Sequence, residues 1–409
     1  MISRHITPAL KRAAEDYPVV TLTGPRQSGK TTLVRAVFPE HAYMSLESPD
    51  VRARALADPR AFLAQADHMI LDEIQRAPEL LSYVQSLVDD DLRAGRFIVT
   101  GSQNVLLLRS VSQTLAGRTA LLVLHPFSLA ELRGLPALEP LSLDLPADVG
   151  GGGANAAAAR PLAEDALWDT LVTGFFPPIH DRGVPAGEWL ADYFRTYVER
   201  DLREVTQVLD LRQFETFMRL AAARTATELN LSGLAGDVGV TQQTARRWFN
   251  ALEIGYLATA LPPHHANYRK RLRKRPRLHF LDTGLICYLL GIRDGVTLES
   301  HPLRGPIFES FVVAELVKAF SATRRDSPLF FWRDAAGHEI DVLVDAGDRL
   351  IPIEVKSGRT VAADAVAALE WWTSIPANPN RGGVLVHGGA GSFDLKGFRV
   401  LPWFLTREP

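Results

Sequence analysis

Nine consecutive residues, Gly24-Pro25-Arg26-Gln27-Ser28-Gly29-Lys30-Thr31-Thr32, constrain this chain more than any other stretch. They fit the pattern G-x-x-x-x-G-K-[ST]. The preceding Val19-Val20-Thr21-Leu22 is β-branched and apolar, and the following Leu33-Val34-Arg35-Ala36-Val37 suits a helix. A strand, a glycine loop and a helix in that order wrap backbone N–H groups around a phosphate, with the positive end of the helix behind them. All nine residues are expected nucleotide contacts. Lys30 is expected to reach the β- and γ-phosphates of ATP, and the Thr31 hydroxyl to hold Mg²⁺.

A loop of this kind needs a parallel sheet, and the following sequence supplies one. Strand candidates at 19–23, 42–46, 68–71, 96–100 and 119–125 alternate with helical windows such as 60–66 and 79–90. Such alternation gives a sheet with helices on both faces. The apolar run Met69-Ile70-Leu71 ends in Asp72 and Glu73. Downstream of a phosphate loop, Asp72 is expected in the Mg²⁺ shell and Glu73 to polarise the attacking water. Acidic residues also favour helix starts, the plainer reading of the pair. Phe97-Ile98-Val99-Thr100-Gly101-Ser102 ends in small polar residues, making Ser102 or Gln103, and less so Thr100, the candidates to sense the γ-phosphate. Arg118 is a candidate for stabilising transition-state charge across a subunit boundary, which would make a second copy of the chain a partner. Its alternative is a solvated arginine in a turn.

Composition narrows the rest. With 409 residues there is material for several cores, and a net charge of −2 confines any nucleic-acid surface to a local patch. A single cysteine, Cys287, excludes an internal disulfide and a multi-cysteine zinc site. Residues 1–8 do not resemble a signal peptide, and no apolar run is of membrane length, so the expected location is cytoplasmic, with no membrane partner. The boundaries expected are a phosphate-loop ATPase domain at 1–140, a flexible glycine- and alanine-rich insertion at 141–160, and a helical region at 161–225. A winged helix-turn-helix at 226–300 and a mixed α/β unit at 301–409 follow.

Two features of the second half carry chemistry. Leu231 to Val238, the turn Gly239-Val240, and a second helix capped by Thr241 read as helix-turn-helix. From Thr241 to Arg247 the polar Gln242, Gln243, Arg246 and Arg247 stand where a recognition helix meets DNA. The run from Arg269 to Arg277 is nearly all basic and is expected near a phosphate backbone. In the last unit, a hairpin about Gly347 sets Asp341 nearly opposite Glu354, with Lys356 on the face of Glu354. Two such carboxylates could share a divalent cation, with Glu309 from the preceding helix completing the set and Lys356 activating water. The alternative is a solvent-facing hairpin, which the apolar Ile351, Ile353 and Val355 make harder to accept.

Taken together, Thr23 to Thr32, Leu71-Asp72-Glu73-Ile74-Gln75, Leu115-Ala116-Gly117-Arg118, His125-Pro126-Phe127-Ser128, Phe308-Glu309-Ser310-Phe311 and Ile353-Glu354-Val355-Lys356 resemble a prokaryotic AAA-type ATPase family with a C-terminal DUF4143 region. The last unit also resembles the PD-(D/E)xK, restriction-endonuclease-like superfamily. That likeness implies metal-binding roles for Glu309, Asp341 and Glu354 and a catalytic role for Lys356. The function implied is an ATPase coupled to DNA processing. The alternative is a nucleotide-controlled regulator that binds DNA or a partner and whose nuclease-like unit does not cleave; a third reading makes the winged region a protein interface.

Overall fold

A computed structural model describes residues 2–101, 114–144, 166–197, 211–264, 275–375, 378 and 382–405. Ser102, Gln103, the glycine- and alanine-rich stretch and the basic residues 269–274 lie outside the described residues.

The first sheet contains β1 (Val19–Thr23), β2 (Ala42–Ser45), β3 (Met69–Asp72), β4 (Phe97–Thr100) and β5 (Thr119–Val123). Its order is β2-β3-β4-β1-β5, and every pairing is parallel. Alternation along the strands divides the buried side chains. Val20, Leu22, Ile70 and Ile98 pack with Leu10 and Val34 of helices Thr7–Asp16 and Lys30–Val37. Val19, Met69, Leu71, Phe97 and Val99 face the other way, onto Phe62 and onto Leu81 and Val84 of helix Leu80–Asp90. The sheet is thus covered on both faces, as a parallel sheet requires, and the expected α/β phosphate-loop fold is present. The chain crosses from β4 to β5 over β1, so the crevice beyond the C-terminal strand ends is the natural ligand position.

The rest of the chain is built differently. Short helices Ala166–Thr173 and Pro177–Asp181, then Ala186–Tyr197 and Leu211–Ala223, lead into the helix pair Leu231–Val238 and Gln242–Ile254. A small antiparallel sheet of β6 (Thr227–Glu228), β7 (Ala258–Leu261) and β8 (Arg277–Phe280) lies beside them in the order β6-β8-β7. Helix Thr283–Leu290 and the long helix Arg304–Ala322 follow. They precede a six-stranded mixed sheet made of β9 (Leu329–Arg333), β10 (Glu339–Asp345), β11 (Leu350–Lys356), β12 (Val384–His387), β13 (Phe393–Leu395) and β14 (Phe398–Pro402), in the order β13-β14-β12-β11-β10-β9. Leu369 and Trp372 of helix Ala367–Ser374 cover one face of that sheet. Its other face joins a core that runs from Leu129 through Phe217, Trp248 and Phe311 to Leu405. The helical region, the helix-turn-helix and the last sheet therefore share buried side chains rather than folding around separate cores. No helix among the described residues is long and apolar enough to cross a membrane.

Candidate nucleotide site and carboxylate cluster

The phosphate loop is shaped by its glycines. Gly24 has φ +145°, and a Cβ there would lie 2.1 Å from the Leu124 carbonyl oxygen. Gly29, at φ +93°, turns the chain into helix Lys30–Val37. Lys30 is 6% exposed, and its Nζ donates to the carbonyls of Gly24 (3.0 Å) and Pro25 (2.9 Å), lying across the loop. The Ser28 hydroxyl is buried without a hydrogen-bond partner among the described residues.

Across the crevice, β3 delivers Asp72, 4% exposed. Its carboxylate accepts from Thr31 Oγ1 at 3.0 and 3.1 Å, from Tyr43 at 2.6 Å and from Thr100 Oγ1. Three hydroxyls thus hold one carboxylate. Burial, and the bond to Asp72, push the Tyr43 phenol up to about 12. Glu73 follows at φ +58°, ψ +46°, a left-handed conformation that costs a non-glycine residue about 1–3 kcal/mol and is characteristic of functional positions. Lys30, Thr31, Asp72, Glu73 and the loop N–H groups are a donor set that fits a nucleoside triphosphate with Mg²⁺. Beside the loop runs a cleft walled by Leu33, Phe127, Pro177 and Pro178, with the exposed Arg182 on its lining. Sequence reasoning missed Tyr43 and Arg182, because nothing local ties either to the loop.

Arg118 lies away from the phosphate loop of its own chain. Its carbonyl accepts from Val19 N–H at 3.3 Å, at the N-terminal end of β1, whereas the loop leaves the C-terminal end. At roughly 3.3 Å per strand residue it has no reach to the phosphate site of its own chain. Its guanidinium pairs with Asp89 instead.

The loop is tied to the second half by buried polar groups. Arg4 donates to the Ser28 carbonyl (2.8 Å), to the His125 carbonyl (2.5 Å) and to Glu131 (3.2 Å). From the long helix, Lys318 donates to the Phe127 carbonyl and to Glu315, each at 2.9 Å, and Glu315 accepts from Leu129 N–H at 2.9 Å. His125 contacts Ser321 at 3.1 Å, and burial, aided by the charges of Lys318 and Arg4, pushes its imidazole down to about 3, so it is neutral.

Two helices, Leu231–Val238 and Gln242–Ile254, meet at a tight turn. Asn230 caps Leu231–Val238, Gly239 turns at φ +77°, and Thr241 Oγ1 accepts from Thr244 N–H at 3.1 Å. Ala245, Trp248 and Phe249 are buried, while Gln242, Gln243, Arg246 and Arg247 are exposed together.

In the last sheet, the β10–β11 register pairs Val342 with Ile353, which sets Asp341 opposite Glu354. Asp341 Oδ2 accepts from Val355 N–H at 3.0 Å. Glu354 is 5% exposed; its Oε1 accepts from Lys356 Nζ at 2.5 Å, and its Oε2 is buried beside Asp341. Burial, then the Asp341 charge, raise the Glu354 carboxyl to about 7 and hold that of Glu309 well above its usual range. Glu309, Asp341, Glu354 and Lys356 are therefore gathered in one place. So is a residue of opposite charge. Arg277, expected among the phosphate-contacting basic run, is 6% exposed and turned inward. Its guanidinium donates to Glu309 at 3.2 Å and to Glu339, lies 3.8 Å from Asp341 and stacks 4.7 Å over the Phe331 ring. The physical reason is that Arg277 opens β8 rather than closing the loop before it, so strand pairing fixes its direction. Among the described residues, no three His, Cys, Asp or Glu side chains are arranged to hold a metal ion.

Three family models match the chain: an AAA domain over residues 16–133, a domain of unknown function (DUF8612) over 164–295, and a domain of unknown function (DUF4143) over 304–405. The uncharacterised proteins Rv2008c of Mycobacterium tuberculosis and Mb2031c of Mycobacterium bovis are each 34% identical over 357 residues, covering 86% of this chain and 73% of theirs. Among solved structures, the Walker-type ATPase PABY2304 of Pyrococcus abyssi is similar at 15% identity with a TM-score of 0.45, over 71% of this chain and 96% of that one. AMPPCP-bound DnaA from Aquifex aeolicus is similar at 13% identity and a TM-score of 0.29, over 61% of this chain and 85% of that one. The fold assignment stands on the strand order and the loop, not on these distant likenesses. With an AAA-type phosphate-loop fold at one end and the DUF4143 region at the other, the chain belongs to the AAA-domain, DUF4143 family that includes the two mycobacterial proteins.

Proposed function

We propose that the chain is a Mg²⁺-dependent ATPase whose nucleotide state is transmitted to a DNA-binding second half. The observation that carries this reading is the direct Thr31–Asp72 contact, with Lys30 across the loop and Glu73 at the next position. In this reading Lys30 moves from the loop carbonyls to the β- and γ-phosphates. Thr31, and Asp72 through water, would hold Mg²⁺, which would neutralise charge on the phosphate oxygens. Glu73 then orients the attacking water and takes its proton. Arg4 touches the loop at Ser28 and the chain at His125, so a shift of the loop is felt where Lys318 and Glu315 dock.

The exposed Gln242, Gln243, Arg246 and Arg247 support duplex DNA as the partner, in a winged arrangement with β7 and β8. A second reading for the last sheet, a binding module that does not cleave, is favoured by Arg277 among the carboxylates. The test pairs nucleotide binding with phosphate release. Lys30→Ala should lose nucleotide affinity; Glu73→Gln should bind nucleotide and release no phosphate. Turnover by Glu73→Gln at the parent rate would refute the assigned base. Absence of duplex binding at low salt would shift the helix-turn-helix to a protein interface.

A further inference from the structure

We propose that Arg277 is the resident cation of the carboxylate cluster and that it keeps divalent metal out of the C-terminal sheet. This goes beyond the ATPase reading and does not depend on it.

Four carboxylates stand close together, from three elements: Glu309 on the long helix, Glu339 and Asp341 on β10, and Glu354 on β11. The guanidinium reaches them from another sheet. Both of its terminal nitrogens are engaged, Nη1 by Glu309 and Nη2 by Glu339, with Asp341 Oδ1 at 3.8 Å from Nη1. Its backbone is held on both sides, since Arg277 pairs with Glu228 of β6 and with Leu261 of β7. The Phe331 ring closes one face. For the side chain to swing aside, both carboxylate bonds and the stacking on Phe331 must be broken.

The carboxylate oxygens are also largely spoken for. Asp341 Oδ2 is bonded to Val355 N–H, Glu354 Oε1 to Lys356, and Glu309 Oε1 to the guanidinium. Glu339 Oε1 is bonded to the guanidinium as well and its Oε2 lies 3.6 Å from Arg333, which leaves Glu309 Oε2, Asp341 Oδ1 facing Arg277, and the buried Glu354 Oε2 as the oxygens nearest to being available. A Mg²⁺ ion needs a near-octahedral oxygen shell at about 2.0–2.1 Å and gives up its water reluctantly. Here it would have to assemble that shell beside a guanidinium that does not deprotonate in proteins. The tethered cation already supplies the positive charge. The cluster therefore accepts either Arg277 or a divalent ion, and the fold holds Arg277 in place. The winged-helix sheet thereby acts as the closure of the C-terminal site.

The test is a Mn²⁺ titration of the full chain without nucleotide, following the free-Mn²⁺ electron paramagnetic resonance signal. The parent, Asp341→Asn, Arg277→Met and the double variant Arg277→Met/Asp341→Asn are compared. Any ion held weakly at the phosphate loop is common to all four. The parent and Asp341→Asn should titrate alike. Arg277→Met should gain one site at least tenfold tighter than any in the parent, and the double variant should lose it. Circular dichroism establishes that each variant is folded. A folded Arg277→Met protein that gains no site overturns the proposal. So does a parent site that disappears in Asp341→Asn, and that comparison stands even if Arg277→Met does not fold.

Discussion

Replacing Glu354 by Gln tests the electrostatics of the carboxylate cluster through stability rather than through chemistry. The Glu354 carboxyl ionises near 7 in the folded chain because of burial and the Asp341 charge, against 4.5 for an ordinary glutamate. A carboxyl raised on folding favours the folded state most at low pH, where it is protonated in both states. That contribution is lost as pH rises through about 7. Between about pH 5 and pH 8 the parent should therefore lose a few kcal/mol on account of this group, since one pKa unit is worth about 1.4 kcal/mol. Gln has the shape of the protonated acid and does not titrate, so Glu354→Gln should match the parent near pH 5 and exceed it by a few kcal/mol near pH 8. Urea unfolding read by tryptophan fluorescence is the suitable assay. All seven tryptophans, Trp168 to Trp403, lie outside the first sheet, so the signal reports on the second half alone. A stability difference that stays constant with pH would refute the reasoning, as would one that shrinks on the alkaline side.

Three further outcomes are expected. Gly24→Ala should abolish nucleotide binding, measured with a fluorescent ATP analogue, because its Cβ would meet the Leu124 carbonyl at 2.1 Å. Lys318→Met strands the buried Glu315 carboxylate and should cost about 3–5 kcal/mol in the tryptophan-detected transition, whereas a loss under about 1 kcal/mol would show the pair to be dispensable. His279, buried and held down to about 3 by burial and the Arg277 charge, charges more readily when unfolded; its own contribution should cost stability below about pH 6.5 at up to ~1.4 kcal/mol per pH unit, so the stability of His279→Asn relative to the parent should rise as the pH falls.

Features that depend on short spacing were legible in the sequence. The loop and its strand, Asp72 at the end of β3, the Thr241 cap and the Asp341–Glu354 register each follow from a local period or a turn. What depended on long-range packing was not. Arg277 looked like the last of a basic run, yet Pro276 before it and Leu278, His279 and Phe280 after it mark it as the first residue of a buried strand. That Arg118 lies far from its own chain's loop was legible too: in a parallel sheet, residues that precede a strand lie at the end away from residues that follow one. The polar tie from Arg4 to Ser28, and from Lys318 to Phe127, joins residues far apart in sequence and left no local trace. The expected boundaries at 225 and 300 marked changes of motif, but the side chains on either side pack together.

That shared core sets an order on how the chain emerges from a ribosome. Among the described residues, the apolar core of the first sheet and its helices lies between Ile6 and Leu124, so this body can close while the rest is still being translated. The second core starts at Leu129 but includes Trp403, Phe404 and Leu405. At about 5–20 residues per second, its apolar helices wait roughly 15–55 s for the residues that cover them. During that interval a finished ATPase body is tethered to an unfinished, adhesive tail. Deletions that remove the final strand should leave the tail in that state permanently, and chaperone demand during expression should concentrate there.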